Sequence, residues 1–296
     1  MSLNLPELPE VETTIRDLRK KILKRIFIDV WSDWQKIIKK PKSFGEFEKK
    51  LKGKRIERIW RRGKNIIFDL SGGLSLLLHQ KLTGHLLYGK WEMGKGEWQS
   101  REKGPLKDDP INRFLHLIFF LDSGEQLALS DVRKFAKVEL WGTKYLEDSE
   151  ILKSLGPEPL EESFTFEKFK ERLKTQKGKI KQTLMDQTFV AGIGNIYSDE
   201  ILFKAGIHPL KEVEKLNDLE IQKIYKAMKE ILKEAIERKG TSVSDYRTIS
   251  GEEGSYGDVR KVYRLEGEKC SRCGTKIKRI KLRGRSAHFC PKCQTF

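Results

Sequence analysis

All four cysteines of the 296-residue chain lie between positions 270 and 293, and their spacing limits what this end can become. Cys270-x2-Cys273 and Cys290-x2-Cys293 are two knuckles separated by 16 residues. Each can present two thiolates, and together they complete a tetrahedral site for one Zn²⁺. Because protein fills all four positions, the metal is expected to be structural and not to activate water. A tail this short cannot bury a core of its own, so metal binding would supply much of its folding free energy. A disulfide framework would instead be spread through a small secreted chain, so the cysteines point to a reducing compartment.

The segment between the knuckles carries Lys276, Lys278, Arg279, Lys281, Arg283 and Arg285, and no acidic residue follows Lys269. The run KIKRIKL alternates, as a β-hairpin with one cationic face would. A zinc ribbon of this kind speaks for nucleic acid without speaking for an enzyme. The whole chain has the same bias: 60 Lys+Arg against 43 Asp+Glu give +17 and a pI near 9.6. Such a charge can serve solubility alone; the sharper reading is a polyanion partner whose condensed counterions are released on binding. With 38% hydrophobic and 35% charged residues the chain can build a core and is not disordered throughout. No basic–apolar–small leader is evident and no apolar run approaches the length of a membrane span. A cytoplasmic, nucleoid-associated protein without membrane contact is expected. No coiled-coil seam appears, so a monomer is the default.

Periodicity divides the rest. Val11, Ile15, Leu18 and Ile22 fall at helical spacing, predicting a long amphipathic helix over 10–24. From 26 to 141 short runs such as NIIFDL, LSLLLH and LHLIFFL alternate with Gly, Asp and Ser, which predicts an antiparallel β-sandwich or barrel. The polar stretch 94–109 reads as a surface loop. LGPEPL at 155–160 marks a linker, its prolines blocking continuous helix. Helical patterns follow at 166–175, 180–187, 195–205 and 216–238, then a Gly/Ser-rich stretch over 240–257 that reads as a mobile loop. The expected class is α+β multidomain: an N-terminal domain over 6–145 with a long first helix, a linker over 146–160, a helical domain over 161–260, and a zinc finger over 261–296.

Five segments add a resemblance that spans nearly the whole chain. PELPEVET (6–13), DVRKF (131–135), KQTLMDQTFVAGIGNIYSDEILFKAGIHPL (181–210), GRSAHFCPKCQ (284–294) and the cysteine tail together resemble the formamidopyrimidine-DNA glycosylase (Fpg/MutM) family, related to endonuclease VIII; GIGNIY favours the former branch. The resemblance implies a β-sandwich followed by a helix–two-turn–helix domain and a zinc-finger hairpin. It also implies a base-excision glycosylase and AP lyase acting on duplex DNA with oxidised or abasic sites, chiefly 8-oxoguanine and formamidopyrimidines.

Carried over residue by residue, the resemblance makes Pro6 the nucleophile that attacks C1′ through its secondary amine, forming an iminium and expelling the base. Alone, Pro6 reads as a helix-start proline. Glu7 matches the acid that handles protons at the sugar, although a carboxylate also suits a helix N-terminus on its own account; Glu10 fits only that second role and ranks below. Lys64, in RRGKNIIF, matches a strand lysine that assists elimination, and Arg285 the finger arginine that grips a phosphate and serves in δ-elimination. Leu82, Arg133 and Phe135 match three side chains that fill the gap left by an extruded base; Phe135 alone would read as core. Asn195 matches a phosphate contact at a helix start, where an N-cap is the plainer explanation. Lys177, with Lys179 and Lys181, would add phosphate contacts. The position of a first His in the family's HxH is Phe114 here, so that DNA contact does not carry over. The stretch 250–257 resembles the loop that closes over an oxidised purine.

One departure bears on the chemistry. Met-Ser-Leu-Asn-Leu precedes Pro6, which makes its nitrogen an amide, and an amide cannot form an iminium. The expectation is that Leu5 stands for a UUG or CUG start read as Met, whose removal exposes Pro6. Proteolytic trimming and loss of lyase activity are the alternatives. A damage-binding protein that does not cut, and a zinc-ribbon RNA-binding protein, are the competing classes. The latter leaves PELPEVE unexplained.

Overall fold

In the computed structural model, which describes residues 6–243 and 245–296, the first helix α1 (Leu8–Ile22) lies across the protein and packs on both halves. Its apolar stripe of Val11, Ile15, Leu18 and Ile22 is fully buried, as the helical spacing requires. Pro9 sits in its first turn, where a missing N–H costs nothing.

Two sheets follow. The strands are β1 (Phe27–Trp31), β2 (Ile38–Lys40), β3 (Ile56–Arg62), β4 (Asn65–Leu70), β5 (Leu74–His79), β6 (His85–Gly89), β7 (Trp91–Gly94), β8 (Glu97–Ser100), β9 (Leu115–Leu121), β10 (Gln126–Ser130) and β11 (Lys137–Gly142). One sheet has the order β1-β9-β10-β6 and the other β2-β11-β5-β4-β3. Phe27, Phe47, Ile66, Phe68, Leu117 and Phe119 belong to the shared core that joins the sheets to α1. The chain is α+β, with the sandwich expected from its alternating runs, but one pair departs from the antiparallel rule: β2 runs parallel to β11. The intervening helix α2 (Phe44–Leu51) and strands supply the crossover a parallel pair needs.

The stretch 94–109 is not a bare loop. β7 and β8 pair as a hairpin and are followed by one helical turn, α3 (Pro105–Asp108). Trp91 and Leu106 are buried, with Trp98, Trp31 and Phe120 packed partly buried against them, giving the insertion a small core; the polar majority of 94–109 hid Trp98 and Leu106.

Two short helices, α4 (Thr143–Glu147) and α5 (Glu150–Lys153), lead into the linker. The second half is built from α6 (Phe166–Lys174), α7 (Ile180–Met185), α8 (Asn195–Ala205) and α9 (Asp218–Glu237) around Phe169, Tyr197, Ile201, Ile224 and Met228. The finger is the hairpin β12 (Lys278–Leu282) and β13 (Arg285–Phe289). The stretch 240–257, expected to be mobile, is instead tied down; Ser244 lies outside the described residues. Thr241 N donates to Glu10 Oε1 at 2.8 Å, Tyr88 N to Ile249 O at 2.8 Å, and Arg247 bonds Asp109 at 2.6 Å. Composition suggested flexibility, but these long-range partners could not be seen locally. Residues 1–5, on which the expected start rests, also lie outside the described residues. Among the described residues no helix is long and apolar enough to cross a membrane.

Candidate active site

The candidate site forms where the start of α1 meets the start of α8. Leu8 N donates to Gly192 O at 2.9 Å, pinning the two segments together. Glu7, immediately before α1, is 1% exposed and reaches across the junction. Its carboxylate accepts from Gly194 N at 2.6 Å, Ile196 N at 2.8 Å and Tyr197 N at 3.4 Å. Unpaired amides at a helix start suit an anion, so Glu7 satisfies donors of a helix nearly 190 residues away. Its own N–H goes to Glu10 Oε2 at 2.8 Å.

Lys64 approaches from the other side. It sits in the two-residue turn Gly63–Lys64 between β3 and β4 and not on a strand as expected; a hairpin tip places the side chain outside the sheet. Glu158 of the linker fixes that turn: it accepts from Gly63 N at 2.6 Å, Arg61 Nη1 at 2.5 Å and Arg62 Nη1 at 3.1 Å. Gly194 marks where the groups converge. A Cβ there would stand 2.5 Å from Glu7 Cδ and 2.8 Å from Lys64 Nζ, so only glycine leaves room for both.

Burial sets the proton affinities. It pushes the Glu7 carboxyl up, against the pull of Lys64 and of the α8 amides, and pushes the Lys64 ammonium down, against the pull of Glu7 and Glu10. Arg285, half-buried at the start of β13, lowers Lys64 further. The acid is raised and the amine beside it lowered, so the two proton affinities are drawn toward each other. Glu10 is raised to about 7, first by burial and then by Glu7, while Tyr197 Oη and Thr241 N donate to its carboxylate. Pro6 is buried at the same junction, next to Glu7.

The three expected gap-filling residues lie on two loops that are stitched together. Thr83 Oγ1 donates to Asp131 Oδ1, and Arg133 N donates to Thr83 Oγ1 at 3.1 Å. Leu82 and Arg133 are half-buried, whereas Phe135 is 50% exposed under the Arg133 guanidinium, 4.7 Å from its ring centroid. Phe135 is therefore not core; a ring presented to solvent at this position is free to stack on a base.

The phosphate candidates separate. Lys177 is exposed, Lys179 bonds Glu212 at 2.9 Å, and Lys181 is fully buried. Lys181 Nζ donates to Asp199 Oδ1 at 2.6 Å and Ser286 O at 2.7 Å, so it locks α7 to the finger and offers no phosphate contact. Asn195 is the first residue of α8, with Gly194 at the cap position, so it is not the N-cap. Its side chain is 6% exposed.

The four cysteine sulfurs lie within 4.8 Å of one another, with Cys270–Cys293 at 3.9 Å and Cys273–Cys290 at 3.4 Å. Tetrahedral thiolates at roughly 2.3 Å from one ion would be about 3.8 Å apart, so the donor set fits a four-thiolate metal. Gly194, Glu158, Asp131 and Asp199 went unnoticed in the sequence. Gly194 was legible as the second glycine of GIGN; the three acids are ordinary until their partners are known.

Comparison with known proteins follows the same division. A formamidopyrimidine-DNA glycosylase N-terminal domain model matches residues 5–138, the H2TH domain model of these glycosylases 155–247, and a zinc finger found in Fpg and isoleucyl-tRNA synthetases 267–295. The chain is 40% identical to a formamidopyrimidine-DNA glycosylase of Pelotomaculum thermopropionicum over 292 residues, covering 98% of this chain and 99% of that protein. It is 38% identical to the protein of that name from Bacillus subtilis, with the same coverages. The Lactococcus lactis Fpg bound to DNA containing an abasic site superimposes with a TM-score of 0.84 at 38% identity, covering 98% of this chain and all of that one.

Proposed function

Because the chain belongs to the formamidopyrimidine-DNA glycosylase family, we propose that it excises oxidised purines from duplex DNA and then cuts the strand by β- and δ-elimination. The observation that carries this reading is the meeting of Glu7 and Lys64 at Gly194, beside Pro6. Once its nitrogen is a free secondary amine, Pro6 attacks C1′ of the extruded nucleoside. The C1′–N bond to the base breaks and an iminium forms. Glu7, held by the α8 amides, is placed to exchange protons with the opening sugar. Lys64, whose proton affinity burial lowers, is placed to pass a proton during elimination. Arg285 is poised to hold the adjacent phosphate through each elimination.

Asn195 and Lys177 supply phosphate contacts, and Leu82, Arg133 and Phe135 occupy the space the flipped base leaves. The four thiolates would hold one Zn²⁺, which fixes the hairpin bearing Arg285. One observation favours a second reading: the Leu5–Pro6 peptide bond of the sequence as written would leave a damage-binding protein without lyase chemistry. Products decide between them. A chain beginning at Pro6 should convert an 8-oxoguanine duplex to a one-nucleotide gap with phosphate on both ends. Tight binding to abasic duplex with no incision from that chain would overturn the lyase.

A further inference from the structure

LGPEPL, which the sequence offers only as a linker, carries a buried acid. Glu158 is 5% exposed, and its carboxylate is given over to the turn that bears Lys64. Oε1 accepts from Gly63 N at 2.6 Å and Arg62 Nη1 at 3.1 Å, and Oε2 from Arg61 Nη1 at 2.5 Å. Arg61, itself largely buried, also donates to Gly63 O at 2.9 Å and, through Nε, to Glu12 Oε2 of α1 at 3.1 Å. Both main-chain polar groups of Gly63 are thus taken, the N–H by Glu158 and the carbonyl by Arg61. Arg62 Nη2 adds a bond to Leu155 O at 2.7 Å.

The same segment holds the opposite wall of the site. Gly156 N donates to Gln187 O at 2.8 Å, and Ala191 N to Pro157 O at 3.0 Å. The Gln187 side chain then braces the glycine turn: Nε2 donates to Ile193 O at 2.7 Å, and Oε1 accepts from Gly192 N at 2.9 Å. Gly194, where Glu7 and Lys64 meet, follows directly. Residues 155–158 therefore grip the Lys64 turn on one side and the approach to α8 on the other.

A segment that only tethered two domains would have no use for a buried carboxylate, whose desolvation is costly unless matched by donors. Here the matching donors belong to one turn, and Lys64 is the next residue after Gly63. A shift of Gly63 N carries the Lys64 amine with it, and small misplacements of a reacting group are expensive in rate. We infer that Glu158 is a positioning residue for elimination: it sets the place of the Lys64 amine at the Glu7 junction while lying too deep to meet DNA itself. The inference rests on the lyase reading above, so the test separates the two.

Cutting of a preformed abasic duplex is followed under single turnover in the chain that begins at Pro6, with duplex affinity measured in parallel. Glu158→Asp keeps the charge facing Arg61 but draws it back by one methylene, so it remains informative if Glu158→Gln does not fold. Positioning predicts that both variants cut roughly 10- to 100-fold more slowly with duplex affinity unchanged. In a Lys64→Ala background, Glu158→Asp should slow cutting no further; a full additive loss there overturns the inference. Hydrogen exchange, which needs no chemistry at the site, should quicken over residues 61–65 in Glu158→Asp. Unchanged exchange overturns the inference whatever the cutting does, and so does faster exchange with cutting intact. If the wild type does not cut abasic duplex, faster exchange sustains the placement of Lys64 by Glu158, and it is the lyase reading that falls.

Discussion

Two buried lysine–carboxylate pairs lie close enough that Glu7 also acts on Lys181, and they are built differently. Lys181 and Asp199 are both wholly buried and in direct contact at 2.6 Å, with further bonds on both sides: Lys181 also bonds Ser286 O, and Asp199 also accepts from His288 N and Nδ1. Lys64 and Glu7 are as deeply placed, yet Glu7 is satisfied by amides of α8 and Lys64 Nζ makes no hydrogen bond to the described residues. A buried ion that is fully paired and bonded holds elements in place; one left partly unmet keeps a shifted proton affinity available for chemistry. The first pair is a joint between α7, α8 and the finger. The second is the pair we propose as the working end of the junction.

Glu7→Gln tests the working pair with the largest expected effect. Excision on an 8-oxoguanine duplex should fall by roughly 10²- to 10⁴-fold, while the melting temperature stays level or rises because a buried charge is gone. Lost stability with excision intact would reverse the assignment of the two pairs. Asp199→Ala should do the opposite: leaving Lys181 buried without its counter-ion should cost about 3–5 kcal/mol in urea unfolding. A loss below about 1 kcal/mol would mean the joint is not held by that pair.

Glu10 sharpens the contrast through pH. Its folded value, raised to about 7, lies above that of an ordinary carboxyl. The folded state therefore holds the proton more tightly, and stability is greatest below about 4.5 and falls as pH rises through 7. That fall should approach 3 kcal/mol, and Glu10→Gln should flatten it between pH 5 and 8. An unchanged slope would place the titration elsewhere. The smallest effect belongs to the gap-filling loops, which stand apart from both pairs. Leu82→Ala should slow excision of 8-oxoguanine several-fold, a fraction of the few kcal/mol needed to unstack a base, and affect cleavage of preformed abasic sites less. Equal losses on both substrates would argue against a wedge.

Much of the frame was legible. The cysteine spacing located the four-thiol cluster, the i, i+3, i+4 pattern located α1, and alternating runs located the sheets, because each is a local signal of a local constraint. What escaped depended on distant partners. Lys181 reads as one more cation in a basic run until Asp199 and Ser286 enclose it. The 240–257 stretch reads as mobile until Glu10, Tyr88 and Asp109 bind it. In 94–109, two apolar anchors among polar residues make no period, so Trp98 and Leu106 gave no sign of a hairpin with its own core. Of the site, Pro6, Glu7, Lys64 and Arg285 were picked out by resemblance. Gly194, which lets two of them meet, was legible only as a motif glycine, and the groups it leaves room for come from elsewhere in the chain.

The proposed chemistry requires Pro6 as an amine beside Glu7 and Lys64, and borohydride trapping reads that state directly. A chain that begins at Pro6, mixed with an 8-oxoguanine duplex and borohydride, should give a stable protein–DNA adduct. The chain carrying residues 1–5 should give none. No adduct from either form, with abasic duplex still tightly bound, would contradict the account and leave a protein that recognises damage without cutting it.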